Sequence, residues 1–361
     1  MIDTLLRVLS NADLDWMIAC GDHQRLAAGD RLLQPYIDPD RLSIVIEGSL
    51  GESFADPQRA VDEVVLLDDL GPGEMIGFSP LLDRPSLTTV TALTSALFLS
   101  LPMTQVQAKL AEDVAFAAHF YHAIALLLSN RLRRLFEQPD RIQFGGNGST
   151  TKPVFDRRAS NDVLTVFGEL RDSDVDWLTA FGQTETVPAG RVLIRAARPV
   201  ESLYILLDGQ LAMSAIQGTF NPLVRCFLGL DATTHYPSDF ATLTQGSMPG
   251  IVSFLDFRPL PVMVRSLTAA LVFAVPRQTL ITKLQVDDSF ASRFYRVIAM
   301  QLMEQLQTVS MRMVEPDGMA KNRPSMAMDD EELDMDDLHQ VSEGAKKFGW
   351  MLAQLGVNHR G

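Results

Sequence analysis

The chain repeats itself, and this constrains the fold more than any other feature. "DLDWM" at residues 13–17 returns as "DVDWL" at 174–178. "AAGDRLL" at 27–33 returns as "PAGRVLI" at 188–194, and "RLSIVIEGSL" at 41–50 as "ESLYILLDGQL" at 201–211. All three share an offset of 161, while "KLAEDVAFAAHFYHAIALLL" at 109–128 returns as "KLQVDDSFASRFYRVIAMQL" at 283–302 with an offset of 174. Matches in the same order in both halves mean that one unit is built twice. The jump in offset places roughly a dozen extra residues in the second copy, most simply within 212–247.

Each copy reads the same way. A short helix opens it, with Asn11 and Ser173 as expected N-caps and Trp16 and Trp177 on an apolar face. "SIVIEGSL" and "YILLDGQL" are apolar runs into Glu-Gly and Asp-Gly, which predicts hairpins. "TTVTALTSALFLSLP" and "VMVRSLTAALVFAVP" predict paired strands ending at Pro102 and Pro276. A long helix closes each copy, over 114–135 and 289–311, with Phe116, Phe120, Ile124, Leu127 and Leu128 at three- and four-residue spacing in the first. The expected class is α+β, mainly β: two short-stranded barrels with flanking helices.

With 47% hydrophobic and 21% charged residues, the chain can bury ordinary globular cores. A net charge of −14 argues against nucleic acid as a partner, because phosphate backbones need clustered Lys and Arg. No apolar run reaches 18 residues, so no membrane insertion is expected. Asp3, Asp13 and Asp15 do not suit a signal peptide, and two cysteines, Cys20 and Cys226, fit a reducing cytoplasm as small buried hydrophobes.

The order of elements, with "EGSL", "DGQL" and the Gly-to-Pro loops "GEMIGFSPLLDRPSLTTV" and "GIVSFLDFRPLPVMV", resembles the cyclic nucleotide-binding domain, over 1–136 and 160–311. "FLDFRP" at 254–259 and "FASRFYRVIA" at 290–299 are similar to the cyanobacterial bacteriocin-type transport-associated tandem proteins, and in the same places to the inserted domain of one encapsulin shell subgroup. The resemblance implies a jelly-roll-like barrel, flanking helices and a phosphate-binding cassette. It further implies a cassette Arg that pairs with the phosphate and a Glu that takes the ribose hydroxyl.

On that pattern Gly77 and Gly250 are the cassette glycines. Phe78 and Ile251 stand where the acid belongs, and Ser86 and Leu260 where the Arg belongs. The ligand candidates are therefore Gly77, Ser79, Arg84, Thr88 and Thr89 in the first copy and Gly250, Ser253 and Arg258 in the second. Arg84 and Arg258 precede Pro85 and Pro259, and a loop Arg can equally pair with nearby Asp83 or Asp256. The apolar substitutions read as a pocket that is filled or that takes a non-classical ligand. No cofactor is required; a cyclic nucleotide such as cAMP is the one candidate.

Other signals have plainer readings. His119 and His122 share a helix face, but Arg293 and Arg296 replace them in the second copy, so no metal site is expected. "GGNGST" at 145–150 has neither the Lys nor the preceding strand of a P-loop and reads as linker, over 137–159. No nucleophile–base–acid set clusters, so the chain is read as non-enzymatic. Met300, Met303, Met311 and Met313 read as packing residues.

The second copy ends near residue 311. An acidic linker is expected over 312–337, including "DDEELDMDD" with seven acids in nine residues, and then an amphipathic segment over 338–361. Leu338, Val341, Ala345, Phe348, Leu352 and Leu355 step as a heptad seam. Phe348, Met351, Leu352 and Leu355 are candidates to bind a partner; packing back on the chain's own body explains the stripe equally well. The reading at this stage is a cytoplasmic, non-enzymatic adaptor or accessory protein built from degenerate tandem domains. It would oligomerise through its closing helices and bind an unidentified protein, with export or compartment systems as the implied setting. The alternative is a regulatory sensor of a cyclic nucleotide or other anionic ligand.

Overall fold

A computed structural model describes residues 2–54, 65–137, 167–215, 239–314 and 335–356. The chain divides into two compact units, one of Met1–Arg131 with Asp287–Val314, the other of Leu132–Val286 with Glu315–Gly361. Both are antiparallel β sandwiches with flanking helices, so the mixed α+β class is what forms, with more helix than strand among the described residues. Among the described residues no helix is long and apolar enough to cross a membrane.

In the first unit one sheet runs Asp22–Leu26, Ala96–Pro102, Arg41–Glu47, Met75–Ile76, in spatial order. The other runs Arg31–Leu33, Thr88–Ala92, Leu50–Phe54, Val65–Leu70. Val45, Ile76, Ala96 and Phe98 from the first sheet meet Leu50, Leu70, Val90 and Ala92 from the second, forming the core between them. The second unit repeats this with Gln183–Val187, Ala270–Pro276 and Ser202–Asp208 in one sheet. Its other sheet holds Val192–Ile194, Val262–Ser266, Leu211–Ala215 and Asp239–Leu243.

The predicted hairpins do not form. Arg41–Glu47 pairs with Ala96–Pro102, whereas Leu50–Phe54 pairs with Thr88–Ala92 and Val65–Leu70. Thr88–Ala92 and Ala96–Pro102, expected to pair with each other, also lie in different sheets. In a jelly-roll sandwich consecutive strands cross between layers, so a turn signal marks a corner instead of a two-strand pair. Gly48 makes that corner at φ +92°, and a Cβ there would lie 2.5 Å from the Ser95 carbonyl oxygen. The corner bonds to the next one through Leu93 N–H to Ser49 O (2.9 Å), and Leu267 N–H to Gln210 O (2.8 Å) repeats the contact.

The extra residues divide unequally. The offset is 161 up to Ala215 and 173 at Leu70/Leu243, so twelve lie between the strands Leu211–Ala215 and Asp239–Leu243. The thirteenth enters the Gly-to-Pro loop, where "LLDRP" becomes "FLDFRP".

The opening helices start at Asn11 and Asp172, so their caps are Ser10 and Arg171, one and two residues before the expected Asn11 and Ser173. Ser10 is the first cap: its Oγ accepts from Asp13 N–H (3.2 Å), and Ser10 N–H donates to Asp13 Oδ2 (2.7 Å). Asp174 Oδ2 accepts from Arg171 N–H in the second copy (2.8 Å). The closing helices run Val114–Phe136 and Asp288–Val314. The predicted stripe Phe116, Phe120, Ile124, Leu127 and Leu128 is fully buried. Helix Asp288–Val314 belongs to the first unit, where Tyr295 stacks on His122 with ring centroids 4.0 Å apart.

The last helix runs Met335–Gln354, three residues earlier than the expected segment. It packs on helix Asp172–Phe181 within the second unit. Phe348, Met351 and Leu352 are buried there and Leu355 is half-buried, while Ala345 is exposed and so lies off the seam. Leu338 and Val341 have side chains outside the described set, as do Cys226, the linker 145–150, the acidic block 329–334 and the side chains of Met311 and Met313.

Candidate functional site

The first cassette follows strand Met75–Ile76. Gly77 turns the chain at φ +89°, where a Cβ would sit 2.7 Å from the Arg41 carbonyl oxygen, so the turn admits glycine alone without a shift. A single 3₁₀ turn, Ser79–Leu82, follows and ends at Asp83 in the left-handed region. Phe78 and Ser86, at the positions of the missing acid and Arg, are both buried. Of the candidates, Ser79 is buried and its Oγ has no hydrogen-bond partner among the described residues. Thr88 Oγ1 donates to Glu52 Oε1 at 2.8 Å. Thr89 and Arg84 are half-buried; the Thr89 carbonyl accepts from Ser53 Oγ and Arg84 N–H from the backbone reaches Ser79 O.

What fills the space beside the cassette is a charged group that sequence reasoning missed. Arg131, near the end of the first closing helix, is buried and gives Nε and Nη2 to Glu74 Oε2 (3.2 and 3.1 Å) and Nη2 to the Met75 carbonyl (2.9 Å). Nη1 lies 3.5 Å from Glu52 Oε2, and the guanidinium stands 5.7 Å from the Phe78 ring centroid. Burial pulls the Arg131 pKa down, but Glu74, Glu52 and Asp68 together outweigh it and the net shift is upward. The guanidinium therefore stays charged and its donors are spent on the protein. Copy-to-copy comparison was the available signal. At the positions matching Glu52, Glu74 and Arg131 the second copy has Met213, Ser247 and Gln305, so all three charges are replaced together.

The cassette turn is tied to the neighbouring helix. Arg296 of Asp288–Val314 forms an ion pair with Asp83, and Gln307 Nε2 donates to the Pro85 carbonyl (3.3 Å).

In the second unit Gly250, at φ +78°, precedes a true one-and-a-half-turn helix, Ile251–Asp256. Ile251 and Leu260 are buried, as Phe78 and Ser86 are in the first copy. Ser253 Oγ accepts from Val200 N–H (3.2 Å) and donates to the Arg258 carbonyl (2.8 Å), so it serves the turn itself. Arg258 is exposed and grips Asp256 through Nη2 at 2.6 Å. Arg133 holds the other side of that carboxylate at 2.7 and 2.8 Å and reaches the Pro259 carbonyl (2.7 Å). Arg133 and Gln307 are equivalent by the 174 offset, and each bonds the carbonyl of the cassette proline in the other repeat.

The two helix histidines use different neighbours. His119 Nδ1 is 2.8 Å from Asp13 Oδ2, while His122 lies flat on Tyr295. Among the described residues no group of three or more His, Cys, Asp or Glu is placed to hold a metal. Burial, with the charge of His119, pushes the His122 pKa down from 6.5 to about 4. A histidine harder to protonate when folded costs stability as pH falls from about 6.5 towards 4, and nothing above that range. The expected loss is up to roughly 3 kcal/mol. Urea titrations should show it, and His122→Phe, which keeps the ring stack, should flatten that part of the profile. Identical profiles for the two proteins would exclude His122 as its source.

Residues 23–113 match the family profile of the cyclic nucleotide-binding domain. A search of curated proteins returns no match. Among solved structures, the regulatory domain of Toxoplasma gondii PKA with cAMP is 15% identical over 79% of this chain and 89% of its own, with a TM-score of 0.28. The N-terminal domain of a Streptomyces coelicolor A3(2) transcriptional regulator is 30% identical over 36% and 89%, with a TM-score of 0.30. The regulatory subunit of a cAMP-independent protein kinase A from Trypanosoma cruzi, bound to guanosine, is 14% identical over 80% and 85%, with a TM-score of 0.26. The profile match and the cassette-bearing sandwich together identify a cyclic nucleotide-binding domain over residues 23–113.

Proposed function

We propose that the chain is a non-enzymatic, cytoplasmic regulatory sensor in which a nucleotide-class ligand engages the first domain and shifts helix Asp288–Val314. The observation that carries this reading is the direct bond between cassette and helix, Asp83 to Arg296 and Pro85 to Gln307, in which the cassette lies inside the segment that matches the nucleotide-binding family. A ligand that displaces the cassette turn must break or drag those contacts, so its binding energy reaches the helix. The ligand is read weakly through phosphate, because Phe78 and Ser86 supply no charge and Arg131 is already paired.

Isothermal titration with cAMP, cGMP, cyclic di-GMP and guanosine tests this. Binding should be roughly 10–100-fold weaker than in a cassette with both charges, the expected loss of a charge-assisted bond. Guanosine should bind within a few-fold of cGMP. Silence from every ligand at millimolar concentration would reject the sensor.

The adaptor reading then takes its place. It is supported by the burial of Phe78, Ser86, Ile251 and Leu260, which makes both cassettes part of the core. In that reading the domains are rigid scaffolds for a protein partner, and the likeness of "FLDFRP" to transport-associated proteins points to an export or compartment system.

A further inference from the structure

The internal repeat offers one comparison within a single chain. In the second unit, helix Met335–Gln354 sits on a seat made by residues 167–181. The Phe348 ring meets Phe167 edge-on, with centroids 5.1 Å apart. Lys347 Nζ donates to the Gly168 carbonyl, Thr179 Oγ1 to Gln354 Oε1 and Gln354 Nε2 to Asp176 Oδ1, each at 2.9 Å.

The first unit carries the equivalent face, with Leu6, Arg7 and Ile18 where the second has Phe167, Gly168 and Thr179. By the 161 offset, Phe167, Asp176 and Thr179 correspond to Leu6, Asp15 and Ile18. The supporting helix is held alike in both copies. Asp13 and Asp174 accept from the cap residue's N–H, and Lys109 and Lys283 stand 5.8 Å from the ring centroids of Trp16 and Trp177. The covers differ. Phe167 is 1% exposed, while Leu6 is 56% and Ile18 62% exposed, and nothing among the described residues lies on them. Where the covered seat has Thr179, the open one has the more apolar Ile18. A large apolar side chain kept in water at each of two equivalent positions marks a surface built for contact.

We propose that the face of Leu6, Asp15 and Ile18 binds an amphipathic helix from another protein. That helix would carry the chemistry of residues 335–356: an apolar stripe spaced like Phe348, Met351, Leu352 and Leu355, a Lys beside Phe348, and an amide near its end for Asp15. Stoichiometry favours a different protein over a second copy. Among the described residues each chain has two seats and one such helix, and that helix already covers its own seat. The proposal is independent of whether a nucleotide binds.

A fluorescein-labelled peptide of residues 335–356, titrated with the full chain and followed by anisotropy, supplies the test. It should bind in the micromolar range, and Leu6→Glu/Ile18→Glu should weaken it about tenfold or more. Both positions are exposed, so the fold should survive, which circular dichroism checks. Equal binding by the double variant would mean the peptide had exchanged into the covered seat, and would overturn the proposal, as would no binding. Sedimentation velocity of the unlabelled chain covers the remaining occupant. A dimer dispersed by the same two substitutions would assign the face to a second copy and overturn the partner assignment.

Discussion

Arg131→Ala is expected to destabilise the first unit by roughly 3–5 kcal/mol, the usual cost of stranding a buried charge. Glu74 is fully buried, and Arg131 is the cation that its carboxylate meets. Glu52 is nearly as enclosed and would keep only Thr88 of its two contacts described above. The loss should appear as a lower urea midpoint with an unchanged slope. The second copy supplies the control. Glu52→Met, Glu74→Ser and Arg131→Gln together install its neutral set, and this triple variant should recover most of the stability, since a buried pair replaced as a whole is often neutral. A triple variant no better than the single would mean that shape, not charge, holds the site. The triple variant should also bind nucleotides differently from the native chain, because it empties the space beside Phe78 of its guanidinium.

Phe348→Ala is expected to release the last helix from the second unit. Truncating a buried Phe costs roughly 3–5 kcal/mol, and a 20-residue helix in water has little stability of its own once its apolar face is unseated. The change should be local. Hydrogen exchange over 335–354 should accelerate about a hundredfold or more, while strands Arg41–Glu47 and Ser202–Asp208 keep their protection. Unchanged exchange in the helix would mean that Phe167 and Phe348 add nothing to its docking. The candidates Phe348, Met351 and Leu352 are thus occupied by the chain itself in this structure, and a partner for that stripe must first displace it.

The duplicated fold was legible because a repeat needs no knowledge of contacts. Offsets of 161 and 174 place Asp22–Leu26 on Gln183–Val187 and Ala96–Pro102 on Ala270–Pro276 residue for residue. Strand pairing was not legible. "EGSL" and "DGQL" have the chemistry of a tight turn, and whether such a turn closes a hairpin or rounds a corner depends on strands far away in sequence. Phe78, Ser86, Ile251 and Leu260 are all buried, which suits a filled pocket and one that takes a non-classical ligand alike. The filling by Arg131 was hidden for a simple reason: "RLRRLF" at 131–136 reads as the solvated basic end of a helix, and the carboxylate that buries its first arginine is 57 residues away. Arg258 was visible, and so was its pairing with Asp256; Arg133, on the other side of that carboxylate, was not.

Helix Asp288–Val314 completes the unit that begins at residue 1. A chain leaves the ribosome N-terminus first, so the first barrel is synthesised long before the helix that caps it. Until residue 314 emerges, Asp83 and Pro85 lack their partners on that helix, and the apolar surface it covers faces water or a chaperone. Cutting the gene at the boundary of the repeat would make the same intermediate permanent. An expression fragment that ends at residue 136 would hold a whole repeat, yet not a whole folding unit.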